Sequence, residues 1–90
     1  MATHELDYLL SLRQVALITD TPIRTLQDWT AGANPPMPHE HVGPGRRVKV
    51  RVSVVRRMFP RGCLRLERLR PVVSDVAFET IQNVLERTGT

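Results

Sequence analysis

The sequence predicts a mainly α-helical fold carrying one small β-hairpin, and three observations lead there. Two helix starts follow each other closely, at Ser11 and at Thr21-Pro22. The stretch VGPGRRVKVRV, residues 42–52, sets a glycine-rich turn before alternating valines and cations. The segment SDVAFETIQNVLERTG, residues 74–89, is amphipathic at helical spacing. Ninety residues with 41% apolar content suffice for one small domain, expected over 1–90, with its core at about 9–60 and a C-terminal helical extension at about 63–88.

Ser11 followed by Gln14 reads as a capping box, so the first helix is expected over Leu12–Thr19. Its apolar residues Leu12, Val15 and Ala16 recur at i, i+3 and i+4. Thr21-Pro22 supplies a second N-cap with proline in the first turn, where its missing amide costs nothing. The second helix then runs from Pro22 to about Ala31, and Gly32 ends it in the left-handed conformation. Two short helices this close in sequence must cross sharply, which is helix-turn-helix geometry. Ile23, Leu26 and Thr30 are expected inward on the second helix and Arg24, Thr25 and Asp28 outward, with Trp29 packing at the border.

ANPPMP, residues 33–38, holds three prolines and reads as an extended connection. HEHV and RRVKV then form two strands around Gly43-Pro44-Gly45-Arg46. Period-two alternation sends Val48 and Val50 inward and Arg47, Lys49 and Arg51 outward. VSVVRRMF forms a third helix with Val54, Val55, Met58 and Phe59 on one arc, ending at Pro60. In CLRLERLRP the alternation of Leu64 and Leu66 suits a strand and the spacing of Leu66 and Leu69 suits a helical turn, and helix is the expectation. The last helix starts at the Ser74-Asp75 cap and ends near Gly89, with Ala77, Phe78, Ile81, Val84 and Leu85 on one face.

Charge is distributed unevenly along the chain, whose net charge is +4: residues 1–40 hold two cations and five acids, whereas 41–61 hold seven cations and no acid. Such asymmetry is the footprint of a surface for a polyanion, nucleic acid being the commonest. Asp28 is out of place on a phosphate-facing helix unless it caps, pairs with Arg24 or accepts from a cytosine amino group. The lone Cys63 excludes an internal disulfide and reads as a reduced thiol. His39 and His41 lack further ligands at zinc-site spacing, so no metal is expected, and no cofactor. GPG lacks the spacing of a phosphate-cradling loop, and no catalytic constellation assembles; an enzyme is not expected. The longest apolar run, VALI, is far short of the roughly 20 residues of a spanning helix. Without a secretory pattern the bacterial cytoplasm is the expected compartment.

LSLRQVALITDTPIRTLQDWTAGA followed by GRRVKVRVSVVRRM resembles a MerR-type winged helix-turn-helix, over about residues 9–60. The pattern and length are similar to those of small phage excisionases, also called recombination directionality factors. The resemblance implies that the second helix enters the major groove of double-stranded DNA and that a wing grips the adjacent groove or its phosphates. It further implies that subunits associate along DNA and bend it. Carried onto this sequence, it gives Thr21, Arg24, Thr25, Gln27 and Asp28 groove or backbone roles, and Arg46, Arg47 and Lys49 wing roles. An excisionase or other architectural factor, or a small transcriptional regulator, is the expected role; the apolar face of Phe78, Ile81, Val84 and Leu85 either closes the hydrophobic core or serves self-association on DNA. The same winged fold occurs in small subunits of phage packaging terminases, so a packaging role is an alternative. Another is a protein-interaction adaptor docking through the C-terminal amphipathic helix.

Overall fold

The local signals at Ser11 and Gln14 produce the expected first helix. Ser11 Oγ accepts from the Gln14 N–H at 3.1 Å, and Gln14 Oε1 accepts from the Ser11 N–H at 3.0 Å. The structure, a computed structural model, describes residues 8–88. In chain order it holds strand β1 (Leu9–Ser11), helices α1 (Leu12–Thr19) and α2 (Ile23–Trp29), strands β2 (Glu40–Val42) and β3 (Arg47–Arg51), helix α3 (Val52–Met58), two 3₁₀ turns (Arg61–Cys63 and Leu66–Leu69) and helix α4 (Asp75–Thr88). It is a small α/β architecture of four helices on a three-stranded antiparallel sheet.

The sheet enlarges the expected hairpin. Its order is β1-β3-β2, so β3 is the central strand, with Leu10 opposite Val50 on one side and His41 opposite Val48 on the other. Three residues are too few to show an alternation, and Leu9–Ser11 runs straight into the helix cap, which is why β1 leaves no mark in the sequence pattern. The chain passes from β3 directly into α3, whose first N–H, that of Val52, donates to the Tyr8 carbonyl at 2.9 Å.

One buried cluster spans the chain. It takes Leu10 from β1, Val15 and Ile18 from α1, Leu26 from α2, Val50 from β3, Val52, Val54 and Val55 from α3, and Leu69 from the second 3₁₀ turn. Met37, the one large apolar residue in the proline-rich connection, is also fully buried, and its N–H donates to the Trp29 carbonyl at 3.1 Å. The linker is therefore pinned to the end of α2.

Helix α4 closes this core. Phe78, Ile81, Val84 and Leu85 are buried in it, and α4 packs on α3. The expectation that these four residues form a subunit contact is corrected: the chain's own core covers them. The adaptor reading loses its docking face for the same reason. The Ser74 cap is present, Oγ accepting from the Ala77 N–H at 3.1 Å; Gly89 lies outside the described residues.

Three element boundaries differ from expectation for local reasons. Helix α2 stops at Trp29 rather than Ala31 because the Thr30 hydroxyl lies 3.2 Å from both the Leu26 and the Gln27 carbonyls, satisfying the end of the helix early. Helix α3 buries Val52 instead of Met58, which is exposed. Phe59 is extended, as a residue preceding Pro60 prefers, and lies against Trp29 with ring centroids 6.1 Å apart. CLRLERLRP is a 3₁₀ turn rather than an α-helix. Pro60 and Pro71 bracket it, and at three residues per turn Leu66 and Leu69 fall on one side.

Candidate nucleic-acid interface

The turn joining α1 and α2 is built on Asp20, which adopts the left-handed conformation at φ 56°, one that aspartate tolerates better than most residues. The Thr19 hydroxyl donates to the Val15 carbonyl at 2.7 Å, and the Thr21 hydroxyl lies 3.0 Å from it. Thr21 therefore turns its hydroxyl toward the turn and does not cap α2, correcting the N-cap expectation; Pro22 occupies that position. Arg68 Nη1 donates to Asp20 Oδ1 at 2.5 Å, and Arg65 Nε stands 3.6 Å from Oδ2. The hydrogen bond from Arg68 is the largest influence on the Asp20 carboxyl; desolvation opposes it, and the positive charges of Arg68 and then Arg65 add to it, so the carboxyl is held below its ordinary range.

On α2, Leu26 is buried while Arg24, Gln27 and Asp28 are exposed at i, i+3 and i+4, one continuous stripe. Two flanking positions differ from expectation. Ile23 is 40% exposed, and Thr25 is half-buried at the border. Leu26 alone sits at the centre of the buried side, and at about 100° per residue Ile23 and Thr25 lie to either side of it. Asp28 forms no ion pair with Arg24.

The β2–β3 hairpin reverses at Gly43–Arg46, where the Arg46 N–H donates to the Gly43 carbonyl at 3.0 Å. Gly43 takes a positive φ of 79°, as glycine readily does. The second positive φ falls on Arg46, at 49°, and not on Gly45. Arg46 and Arg47 are exposed. Lys49 is half-buried because it lies mid-sheet between Glu40 and Ser11. The cations thus rise from the face and tip of the sheet and not from a free strand edge.

Arg51, expected among the outward cations, is held by Glu40: Arg51 Nε donates to Glu40 Oε2 at 2.5 Å. The ion pairs formed between described residues use Arg51, Arg65 and Arg68. Arg24, Arg46, Arg47 and Lys49 pair with no described carboxylate.

His39 Nδ1 lies 2.8 Å from the Met37 carbonyl, and its ring meets that of His41 edge-on with centroids 5.3 Å apart. Among the described residues no three His, Cys, Asp or Glu side chains gather as a metal site requires, and no described helix is long and apolar enough to cross a membrane. Cys63 is an exposed free thiol. Arg65 and Arg68 were not legible as partners of the α1–α2 turn; their only signal is the i, i+3 spacing that leaves Leu66 and Leu69 to face the core. Comparison with protein-family models, with curated proteins and with solved structures finds no match to this chain.

Proposed function

We propose that the chain binds double-stranded DNA as a winged helix-turn-helix, with α2 in the major groove and the β2–β3 hairpin as the wing. The stripe Arg24, Gln27 and Asp28 supplies base-edge and backbone groups, with Thr25 at its flank. Arg46, Arg47 and Lys49 neutralise phosphates. Thr21 contributes through its place at the head of α2, its hydroxyl being engaged with Thr19.

The observation that carries this reading is Arg46. Its left-handed backbone closes the hairpin turn, its N–H donating to the Gly43 carbonyl at 3.0 Å and its carbonyl lying 3.4 Å from His41 Nδ1, while its guanidinium pairs with no described carboxylate. The backbone of Arg46 serves the turn, which leaves its charge available to a polyanion outside the fold. Here the residue supplies a cation at the tip of a hairpin whose Arg47 and Lys49 likewise pair with no described carboxylate.

Arg46→Gly separates the backbone from the charge. The variant keeps or gains thermal stability, while affinity for mixed-sequence duplex falls, and adding Arg47→Ala flattens the dependence of log K on log salt by about one to two units. A salt slope identical to that of the unmodified chain would remove the hairpin from binding. The finer role, an architectural factor of the excisionase kind, requires several copies on one duplex and a ladder in a gel shift. A single shifted band fits a small transcriptional regulator instead.

A further inference from the structure

The basic tail after α3 returns to the start of α2. The Arg65 N–H donates to the Ile18 carbonyl at 2.7 Å, and Arg68 Nη1 donates to the Leu17 carbonyl at 3.0 Å as well as to Asp20. Residues 65–68 are thereby laid along 17–20, with two guanidinium groups beside the turn that leads into α2. Asp20 is the carboxylate that both guanidinium groups engage, and Glu67, exposed in the same segment, forms no ion pair with either. All three side chains are open to solvent, at 57% for Arg65, 41% for Arg68 and 58% for Asp20. Asp20 engages Nε of one arginine and Nη1 of the other. Both Nη atoms of Arg65 and the Nη2 of Arg68 donate to no described residue.

We propose that Arg65 and Arg68, oriented by Asp20 against the α1–α2 turn, form a second phosphate-binding site that grips the DNA backbone flanking the start of α2. The inference rests on the DNA-binding reading above and adds to it a pair of contacts outside both the α2 stripe and the hairpin. Guanidinium groups suit the task because their planar fork matches two phosphate oxygens. Fixing one edge of each against Asp20 and the α1 carbonyls lowers the rotamer entropy lost when phosphate arrives. Asp20 is a positioning residue here: it touches the arginines and not the DNA.

The test is equilibrium binding of the full chain to mixed-sequence duplex DNA between about 50 and 200 mM salt, comparing the unmodified protein with Arg65→Gln/Arg68→Gln. With about 0.9 units of slope per phosphate neutralised, the double variant loses about one to two units and binds about tenfold more weakly at the lowest salt. An unchanged slope beside a normal slope for the unmodified chain overturns this inference and leaves the α2 and hairpin reading standing. An unmodified chain that binds no duplex overturns that reading and this inference with it. Because Arg68 also ties down the tail, Arg65→Gln is measured separately. Its side chain makes only the 3.6 Å approach to Asp20, so the fold is retained; a slope lower by about 0.9 supports the site and an unchanged one overturns it.

Discussion

Glu40, on the outer strand β2, holds the Arg51 guanidinium of the central strand β3 along a diagonal of the ladder, its in-register partner being Lys49. One carboxylate therefore answers one of the three Lys and Arg side chains that the sheet carries, and the pair is substantially exposed. Replacing Glu40 by Gln frees Arg51. Exposed pairs contribute at most about 1 kcal/mol, so urea melts are expected to shift little. The proposed DNA interaction gains a cation, and the salt slope is expected to steepen by up to about one unit, read by binding titrations at several salt concentrations.

Arg24 leads the exposed stripe of α2 and has no described carboxylate partner. Arg24→Ala is expected to leave stability within about 0.5 kcal/mol, as for other surface changes without a partner. If the stripe reads base edges, discrimination between preferred and random duplex falls by about 1–3 kcal/mol at one position. Selection of preferred sites from a random pool, done with both proteins, measures this directly.

Removing α4 is expected to unfold the chain. Phe78, Ile81, Val84 and Leu85 are each buried, and at about 1.5–3 kcal/mol per side chain they supply roughly 6–12 kcal/mol. That is comparable with the whole stability of a domain, about 5–15 kcal/mol. A chain ending at residue 71 should therefore give the circular dichroism of an unfolded polypeptide. The milder Ile81→Ala should stay folded and lose about 2–5 kcal/mol in denaturant titration.

The depressed Asp20 carboxyl predicts a contribution to acid stability of definite sign. A carboxylate whose folded pKa lies below its unfolded value stabilises fully above about pH 4 and loses that contribution as pH falls through the folded value. Asparagine tolerates the left-handed backbone, so Asp20→Asn isolates the charge. The variant should melt below the unmodified chain at neutral pH, and the gap should close as pH drops below about 4. Thermal midpoints across that range provide the measurement.

Short-range chemistry was legible in the sequence. The Ser11/Gln14 box, the Gly43 turn and the Ser74 cap act within a few residues, and each is found where local stereochemistry demands it; Gly32 is left-handed as expected but lies beyond the end of α2, which Thr30 closes. Helices α1 and α4 follow from their apolar spacing, the exposed positions of Arg24 and Asp28 follow from helix periodicity, and those of Arg47 and Arg51 follow from strand alternation. Those periodicities state which side of an element is apolar, but not what covers it.

Everything that joins distant residues was decided by the tertiary structure. Leu9–Ser11 becomes a strand only because β3 offers it a ladder, and Met37 enters the core only because the linker is bonded back to Trp29. The apolar face of α4 reads equally as a core wall or as a subunit contact until α3 is packed against it. Charge behaves in the same way: Arg51, Arg65 and Arg68 read as free cations along the chain, and only the approach of Glu40 and Asp20 divides them from Arg46 and Arg47. The reason is range. Caps, turns and periodicity act over a turn of helix or two residues of strand, whereas pairing and burial depend on residues that the folded chain brings together from far apart in sequence.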